Sequence, residues 1–217
     1  MKKWLRKWWW DFEFFGRQNC MTAYWCGFLM ADGCLQDNGG GKKQGEVLTL
    51  KIHDKDRNHL EKYCDALHLD HEVIKRASDK PANYVKIRGQ KEILSQTLIR
   101  WGIVRRKSHI FIAPKIPKNL LLSYIVGWID GDGYIQKSSP GHYGTFIEVS
   151  GNTAAMIWFR KSLRLLGINN IYIRTLPNKP NVSVVKIGGA ENTLKLAERV
   201  FMTEVPYLER KWGKLRS

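Results

Sequence analysis

The stretch Ile125–Gly133 reads I-V-G-W-I-D-G-D-G, and an earlier stretch, Trp25–Gly33, reads W-C-G-F-L-M-A-D-G. Aligned at an offset of 100 residues (132 − 32 = 100), the two stretches share three residues. The shared pairs are Gly27 and Gly127, Asp32 and Asp132, and Gly33 and Gly133. Both stretches are largely apolar and end on an aspartate followed by glycine, which predicts two similar short helices.

Small residues recur at every fourth position in both stretches, so they lie on one face of each helix. They are Ala23, Gly27 and Ala31 in the first helix and Ser123, Gly127 and Gly131 in the second. A face of small residues lets two helix backbones approach closely. We therefore expect the helices to pack through Gly27 and Gly127, and to end at Gly33 and Gly133 in a left-handed C-cap conformation.

The late aspartates Asp32 and Asp132 would then lie at helix C-termini, where the macrodipole disfavours negative charge. Packing the helices side by side also brings the two carboxylates together, which raises the electrostatic cost. A divalent cation bound by oxygen ligands removes both penalties. The pattern therefore indicates a metal site.

The repeat extends beyond these helices. Lys80-Pro81 recurs at Lys179-Pro180 (179 − 80 = 99), and the strand around Val85 recurs around Val185 (185 − 85 = 100). Alternating and helical periodicities give each half the order αββαββα. We predict an α+β fold made by pseudo-twofold duplication, with the two repeated helices packed at the centre and two antiparallel sheets forming a saddle.

The domain organisation follows from this duplication. We expect an N-terminal extension over residues 1–20, a first half over 21–107, a linker over 108–118 and a second half over 119–217. The second central helix is expected to begin near Lys118, after the prolines of the linker.

On the predicted strands, the residues opposite the apolar positions are mostly polar or basic. They are Thr49, Lys51, His53, Lys75, Tyr84, Lys86 and Arg88 in the first half and Glu148, Arg174, Ser183 and Lys186 in the second. In the major groove such a face could hydrogen-bond base edges and bind phosphates. An ordinary solvated surface is the alternative for any single residue.

The charge balance favours a polyanionic partner. The 217 residues include 36 Lys and Arg against 20 Asp and Glu, a formal charge of +16, and the sequence pI is about 9.8. Basic residues at phosphates release condensed counterions. An anionic membrane surface competes as a partner, but no apolar run reaches the roughly 18 residues of a spanning helix.

The four cysteines match neither a zinc-binding C-x-x-C pattern nor a disulfide framework. We interpret them as reduced thiols of an intracellular protein, with a zinc site as a minor alternative.

The N-terminal segment Met1–Gln18 interleaves aromatic and basic residues in a pattern typical of an amphipathic helix. We expect it to cover an apolar patch of the domain, and contact with DNA or with a membrane remains open. A glycine-rich turn is expected at Gly39–Gly45.

The two central stretches resemble the paired signature helices of LAGLIDADG homing endonucleases, in the form with both copies on one chain. The resemblance covers about residues 21–217. The first copy departs from the family signature at Trp25, Cys26 and Met30, and the second at Val126 and Gly131. Met30 stands in place of an earlier acid, whereas the later acid is present in both copies.

The resemblance implies a site-specific endonuclease that cuts double-stranded DNA at a long, non-palindromic site and leaves short 3′ overhangs, in the context of intron homing. The family pattern implies Mg2+ as cofactor, or another divalent ion such as Mn2+, with Ca2+ as a non-catalytic substitute. Such a protein would act as a monomer, without stable membrane association.

By the same resemblance, Asp32 and Asp132 bind the metal together with the main-chain carbonyls of Ala31 and Gly131. Lys107 and Lys211 resemble the basic residues that stabilise charge near the phosphates, although a surface cluster is their alternative interpretation. Two further sets are implied: Asp54 and Asn152 as water-positioning groups, and Gln36, Gln136 and Lys137 as additions to the DNA surface.

A second class of function uses the same scaffold, either an RNA-binding intron maturase or a non-catalytic DNA-binding protein. Loss of one late acid would favour this class. Because Asp32 and Asp132 are both present, the sequence favours the endonuclease.

Overall fold

Two four-stranded antiparallel sheets flank a central pair of helices in the computed structural model, which describes residues 10–37, 45–139 and 144–216. The helices are α1 (Cys20–Asp32), α2 (Arg57–Ala66), α3 (Lys91–Ile99), α4 (Leu121–Asp132), α5 (Thr153–Leu165), α6 (Ala190–Phe201) and α7 (Glu209–Trp212). The strands are β1 (Gly33–Asp37), β2 (Gly45–His53), β3 (Lys75–Arg76), β4 (Ala82–Gln90), β5 (Tyr134–Gln136), β6 (Phe146–Asn152), β7 (Ile171–Leu176) and β8 (Lys179–Gly188).

The two sheets have the same topology, β1-β2-β4-β3 in the first half and β5-β6-β8-β7 in the second. Each half therefore follows the order αββαββα, and the second half adds the short helix α7 near the chain end. The predicted α+β duplication is confirmed. The fold also matches the expected placement, with α1 and α4 packed together between the sheets.

Several element boundaries differ from the prediction. Helix α4 begins at Leu121, because residues 118–120 form a 3-10 turn before it. Strand β3 has two residues, because His71–Val73 form another 3-10 turn, in which the Asp70 side chain accepts from the main-chain N–H of Glu72. Edge strand β3 therefore pairs with only part of β4, at Lys75↔Tyr84 and Arg76↔Asn83.

The central helices meet backbone to backbone at their glycines. A Cβ atom on Gly27 would collide with the main-chain oxygen of Tyr124, and one on Gly127 would collide with the main-chain oxygen of Tyr24. This reciprocal fit explains why a small-residue face is required on both helices. It also fixes the axial register of α1 against α4, and so the relative positions of the two helix ends.

The C-caps do not adopt the left-handed conformation that the sequence predicts. Gly33 has φ −73° and ψ 147°, and Gly133 has φ −79° and ψ 146°, which is extended backbone open to any residue. Glycine is needed for space instead, because an added Cβ would lie 2.5 Å from the main-chain oxygen of Leu29 at Gly33 and against that of Ile129 at Gly133. The chain thus turns directly from each central helix into a strand.

The N-terminal segment covers part of the core, as far as it is described. Trp10, Phe14 and Phe15 are buried, the Trp10 indole donates to the main-chain oxygen of Arg88 at 3.0 Å, and the Trp101 indole donates to that of Phe15 at 2.8 Å. Residues 10–18 contain a 3-10 turn and no α-helix. Residues 1–9 of the predicted amphipathic helix, and residues 39–44 of the predicted glycine-rich turn, lie outside the described residues.

Across the described ranges, no helix combines the length and apolarity needed to cross a membrane.

The helix contact gives a stability prediction. Gly127→Ala should destabilise the protein by about 1–3 kcal/mol or more, because the added methyl overpacks a backbone-to-backbone contact that cannot relax through side-chain rotation. Urea unfolding measures the loss. The matched control is Gly16→Ala, where an added Cβ meets nothing within 4 Å and stability should stay within about 0.5 kcal/mol. Equal stabilities of the two variants would contradict the close packing.

Candidate active site

Two cavities of similar size flank the ends of α1 and α4. The first has a volume of 420 Å3 and is lined by Asp32 and Gly131, and the second also has a volume of 420 Å3 and is lined by Asp132 and Ala31. Each cavity is thus lined by residues of both helices: the terminal aspartate of one helix and, from the other helix, the residue just before its terminal aspartate. This crossed arrangement follows from the glycine contact, which aligns the two helix ends.

The carboxylates in these cavities lie in an electrostatically strained environment. Desolvation and the negative charge of Asp132 raise the pKa of Asp32 to about 6, against the lowering effect of Lys211 and Lys107. Desolvation also raises the pKa of Asp132, although this residue stays exposed at the edge of its cavity. The two acids are therefore close enough to repel, as their positions in the sequence predict.

Lys107 lines the second cavity. Its ammonium donates to the main-chain oxygen of Ala31 at 2.5 Å, and desolvation lowers its pKa while Asp132 and Asp32 oppose that effect. The positive charge therefore sits at the C-terminal end of α1, where it offsets the macrodipole and both carboxylates.

Lys211 has the equivalent position at the end of α4, but it is held more firmly. Its ammonium, which is buried, lies 2.6–3.1 Å from four main-chain oxygens, those of Ile129, Asp130, Gly131 and Gly133. Desolvation lowers the pKa of Lys211 to about 8. Its alternative interpretation as part of a surface cluster is thus wrong, because the side chain caps α4 from the inside.

Asp130, for which no sequence pattern indicates a role, is the central group of a buried network. Its carboxylate accepts from the Tyr24 hydroxyl at 2.7 Å, the Leu208 main-chain N–H at 2.9 Å and the Trp212 indole at 2.7 Å. Desolvation raises its pKa to about 6 even so. The network ties α4 to the segment that carries Lys211, and Met30 offers no such acceptor in the first half.

A second interaction that the sequence does not predict links the halves. Arg210 donates to both carboxylate oxygens of the buried Asp56 at 2.5 Å, across 154 residues of chain. Arg210 precedes Lys211, so this ion pair also fixes the C-terminal segment beside the first cavity, which both Asp56 and Arg210 line. No local pattern marks either residue.

The two predicted water-positioning residues have different environments. The Asp54 carboxylate accepts a hydrogen bond from the Asn83 amide at 2.8 Å and forms an ion pair with Arg76 at 3.3 Å. Asp54 does not line either cavity. Asn152 lines the second cavity, but its side-chain oxygen accepts from the main-chain N–H groups of Ala154 and Ala155 and caps α5. The structure therefore brings only Asn152 to the site.

Most of the predicted DNA-facing residues share the sheet face opposite the core, which we call the open face. On the first sheet the register pairs Thr49 with Lys86 and Lys51 with Tyr84, and Lys75 lies opposite Tyr84. The remaining predicted residues of this sheet, Gln36, His53 and Arg88, are also exposed.

The second sheet confirms this placement only in part. Glu148 and Arg174 lie on its open face, and the prediction for Ser183 is wrong. Ser183 is fully buried and its hydroxyl contacts those of Thr153 at 3.0 Å and Thr175 at 3.1 Å. Since strand residues alternate, Ser183 shares the inward face of Val185.

The predicted residues at the end of β5 are engaged locally. The Gln136 amide contacts the Tyr134 hydroxyl and the main-chain oxygen of Lys137, whose ammonium donates to the main-chain oxygen of Arg216 at 3.0 Å.

The donor set of the two cavities suits a hard divalent cation. Carboxylate and carbonyl oxygens are the ligands of Mg2+ and Ca2+, and Mg2+ keeps several waters or substrate oxygens. Among the described residues no group of three or more His, Cys, Asp or Glu side chains forms a closed metal cage. The crossed pairs of Asp32 with Gly131 and Asp132 with Ala31 fit an open site, which a phosphate can complete.

Comparison with known proteins gives a match in structure alone. No protein-family model matches the chain, and neither does any curated protein. The LAGLIDADG meganuclease I-AabMI, solved bound to uncleaved DNA, aligns with a TM-score of 0.58 and 15% identity, over 90% of this chain and 87% of that one.

Two further solved structures agree. I-DmoI in complex with DNA and Ca aligns with a TM-score of 0.61 and 12% identity, over 89% of this chain and 96% of that one. The I-LtrWI LAGLIDADG homing endonuclease bound to target DNA aligns with a TM-score of 0.58 and 11% identity, over 92% and 87%. The resemblance seen in the sequence is thereby confirmed in three dimensions: the chain has the LAGLIDADG homing endonuclease fold.

The strained acids give a pH prediction for the metal-free protein. Because the pKa of Asp32 is raised to about 6, the folded state holds this proton more tightly than the unfolded chain, and stability falls as pH rises from about 4 to 6. Asp32→Asn should reduce this slope and raise the melting temperature at pH 7 by about 2–4 °C, the shift of 1 kcal/mol in a chain of this size.

Thermal unfolding between pH 4 and 7 in a chelator checks this expectation. The control is Asp79→Asn. Because a hydrogen bond to Lys51 lowers the pKa of this exposed acid, its contribution has the opposite sign, and its loss should not reduce the slope. A slope unchanged in Asp32→Asn would contradict the raised pKa of Asp32.

Proposed function

We propose that this protein is a site-specific endonuclease that hydrolyses both strands of double-stranded DNA with a divalent metal ion. The observation that carries this proposal is the crossed pairing of Asp32 with Gly131 and Asp132 with Ala31 at the ends of two packed helices. Two equivalent acid sites beside one pseudo-twofold axis suit a duplex, whose strands are related by a similar axis.

The metal is Mg2+ in this proposal, held by the carboxylates of Asp32 and Asp132 and the main-chain oxygens of Ala31 and Gly131. When bound, it supplies an activated water and stabilises charge on the leaving oxygen. The two carboxylates line separate cavities, so each would serve one strand of the duplex. Repulsion between the two carboxylates in the metal-free state favours cation binding.

Lys107 and Lys211 have two functions here. Their ammonium groups hold the carbonyl-bearing ends of α1 and α4 in place, and they provide positive charge close to the reacting phosphates. Asp130 and the Asp56–Arg210 pair position the segment that carries Lys211. The two sites therefore contain the same kinds of residue, but only the segment that carries Lys211 is held by these additional interactions.

The open faces of the two sheets supply the binding surface. Because the halves differ in sequence at these positions, the target site is long and not palindromic, and one chain acts as a monomer on it. The formal charge of +16 favours duplex binding with a strong dependence on salt. Short 3′ overhangs and an intracellular location belong to the same proposal.

A selection experiment tests this function. The full chain is incubated with a library of randomised duplexes and Mg2+, and the cut ends are sequenced. Enrichment of one long motif with short 3′ overhangs is expected. Tight binding to a structured RNA, with no duplex cut, would contradict the proposal and identify a binding protein on the same fold.

The catalytic assignment gives its own prediction. Asp32→Asn and Asp132→Asn should each lower double-strand cleavage of the selected site by at least about a hundredfold, since loss even of a group that supports a metal ligand costs 10–100-fold. Binding in Ca2+, measured by gel shift, should change little. Glu204→Gln is the control at an exposed acid that lines neither cavity. Cleavage by either cavity variant at the wild-type rate would refute the assignment.

A further inference from the structure

The open face of the first sheet is strongly basic. It carries four cationic side chains, those of Lys51, Lys75, Lys86 and Arg88. Among the described strand residues of this face there is no acid. Lys51 pairs at 3.0 Å with Asp79, which lies outside the strands. Such a face binds phosphates and the acceptor edge of guanine.

The open face of the second sheet is nearly neutral. Its two described cations are Arg174 and Lys186, and Lys186 is already engaged. The Lys186 ammonium lies 3.5 Å from the Glu148 carboxylate and 3.7 Å from the centre of the Phe146 ring. Glu148 stands directly opposite Lys186 in the strand register, so the two charges cancel at the middle of this face.

Apolar and aromatic side chains also lie on this face. Val184 is paired with Ser150 and Arg174, both of which are exposed. Although Val184 is 8% exposed, it lies outside the hydrophobic core cluster, whereas the neighbouring Val185 belongs to that cluster. Val184 is thus part of the open face, where Tyr172 stands 62% exposed.

The corresponding positions of the first half carry different chemistry. By register, Val184 matches Tyr84, and Glu148 matches Thr49. The first sheet also has a valine on its open face, Val47, which is 8% exposed and pairs with Gln36 and Arg88. What differs in the second half is the apolar residue at the position that Tyr84 occupies in the first. An apolar face that must contact a duplex needs an apolar group in the groove, and the C5-methyl of thymine is the one that the major groove presents.

We propose that the second half-sheet reads pyrimidine C5-methyl groups through Val184 and Tyr172, so that the half-site beneath it is rich in thymine. The first half-sheet reads its half-site by charge and hydrogen bonds instead. This inference rests on the proposed function, because it requires the open faces to lie in the major groove of a duplex.

Replacement of thymine by uracil tests the inference, because it removes the methyl group and leaves every hydrogen-bonding group in place. The duplex selected by the full chain is resynthesised with deoxyuridine in one half-site at a time. The variant Lys86→Ala shows which half-site lies under which sheet, because the half-site that loses base preference in this variant is the one that contacts the first sheet. Dissociation constants are measured in Ca2+.

We expect uracil in the second half-site to weaken binding about fourfold for each thymine methyl group that is removed from the interface, the effect of burying one methyl group. Uracil in the first half-site should change affinity less than about twofold. Val184→Ser, which removes both methyl groups of the side chain, should reduce the discrimination between thymine and uracil, and the double variant Val184→Ser/Tyr172→Ser should abolish it. The matched control, Ser150→Ala, alters the strand neighbour of Val184 and should retain the discrimination.

The outcomes separate this inference from the function on which it rests. Equal affinity for thymine and uracil in both half-sites, with cleavage intact, overturns the methyl readout alone. The same holds if the second half-site is selected without thymine. Failure to bind or cut any duplex overturns the endonuclease proposal, and the methyl readout with it.

Discussion

The contact between two helix backbones at Gly27 and Gly127 determines the rest of this structure. Because each glycine lies against a main-chain oxygen of the other helix, α1 and α4 can pack in only one register. That register places Asp32 in one cavity with Gly131, and Asp132 in the other cavity with Ala31. The two sheets continue directly from the helix ends at Gly33 and Gly133, so the same contact fixes the positions of their open faces.

Charge is balanced closely around this contact. Two carboxylates with raised pKa values lie between two lysines with lowered ones, and buried hydrogen bonds hold the lysines on the last carbonyls of the helices. The second half supports this arrangement with more interactions, through Asp130 and the Asp56–Arg210 pair. An electrostatically strained site of this kind is stabilised by a bound cation, and it lowers the stability of the protein when metal is absent.

Much of the fold could be predicted from the sequence, because the duplication, the small-residue faces and the strand periods are all local patterns. The conformation at Gly33 and Gly133 could not be predicted, because a glycine is found both where the backbone has a positive φ and where a side chain has no space. The sequence does not distinguish these two reasons. The partners of Asp130 lie 78 or more residues away, and no spacing rule connects them. The prediction that Ser183 faces DNA is wrong, and the sequence already shows why. Ser183 lies two residues before the inward-facing Val185, so the strand period places it on the core side. Val184 is the residue on the open face.

The most direct measurement is an anomalous-scattering map of the protein crystallised with its selected duplex and Mn2+. We expect peaks about 2.0–2.2 Å from carboxylate oxygens of Asp32 and Asp132, each also near a main-chain oxygen of Gly131 or Ala31 and a phosphate. Peaks elsewhere on the surface, or DNA bound away from the ends of α1 and α4, would contradict it.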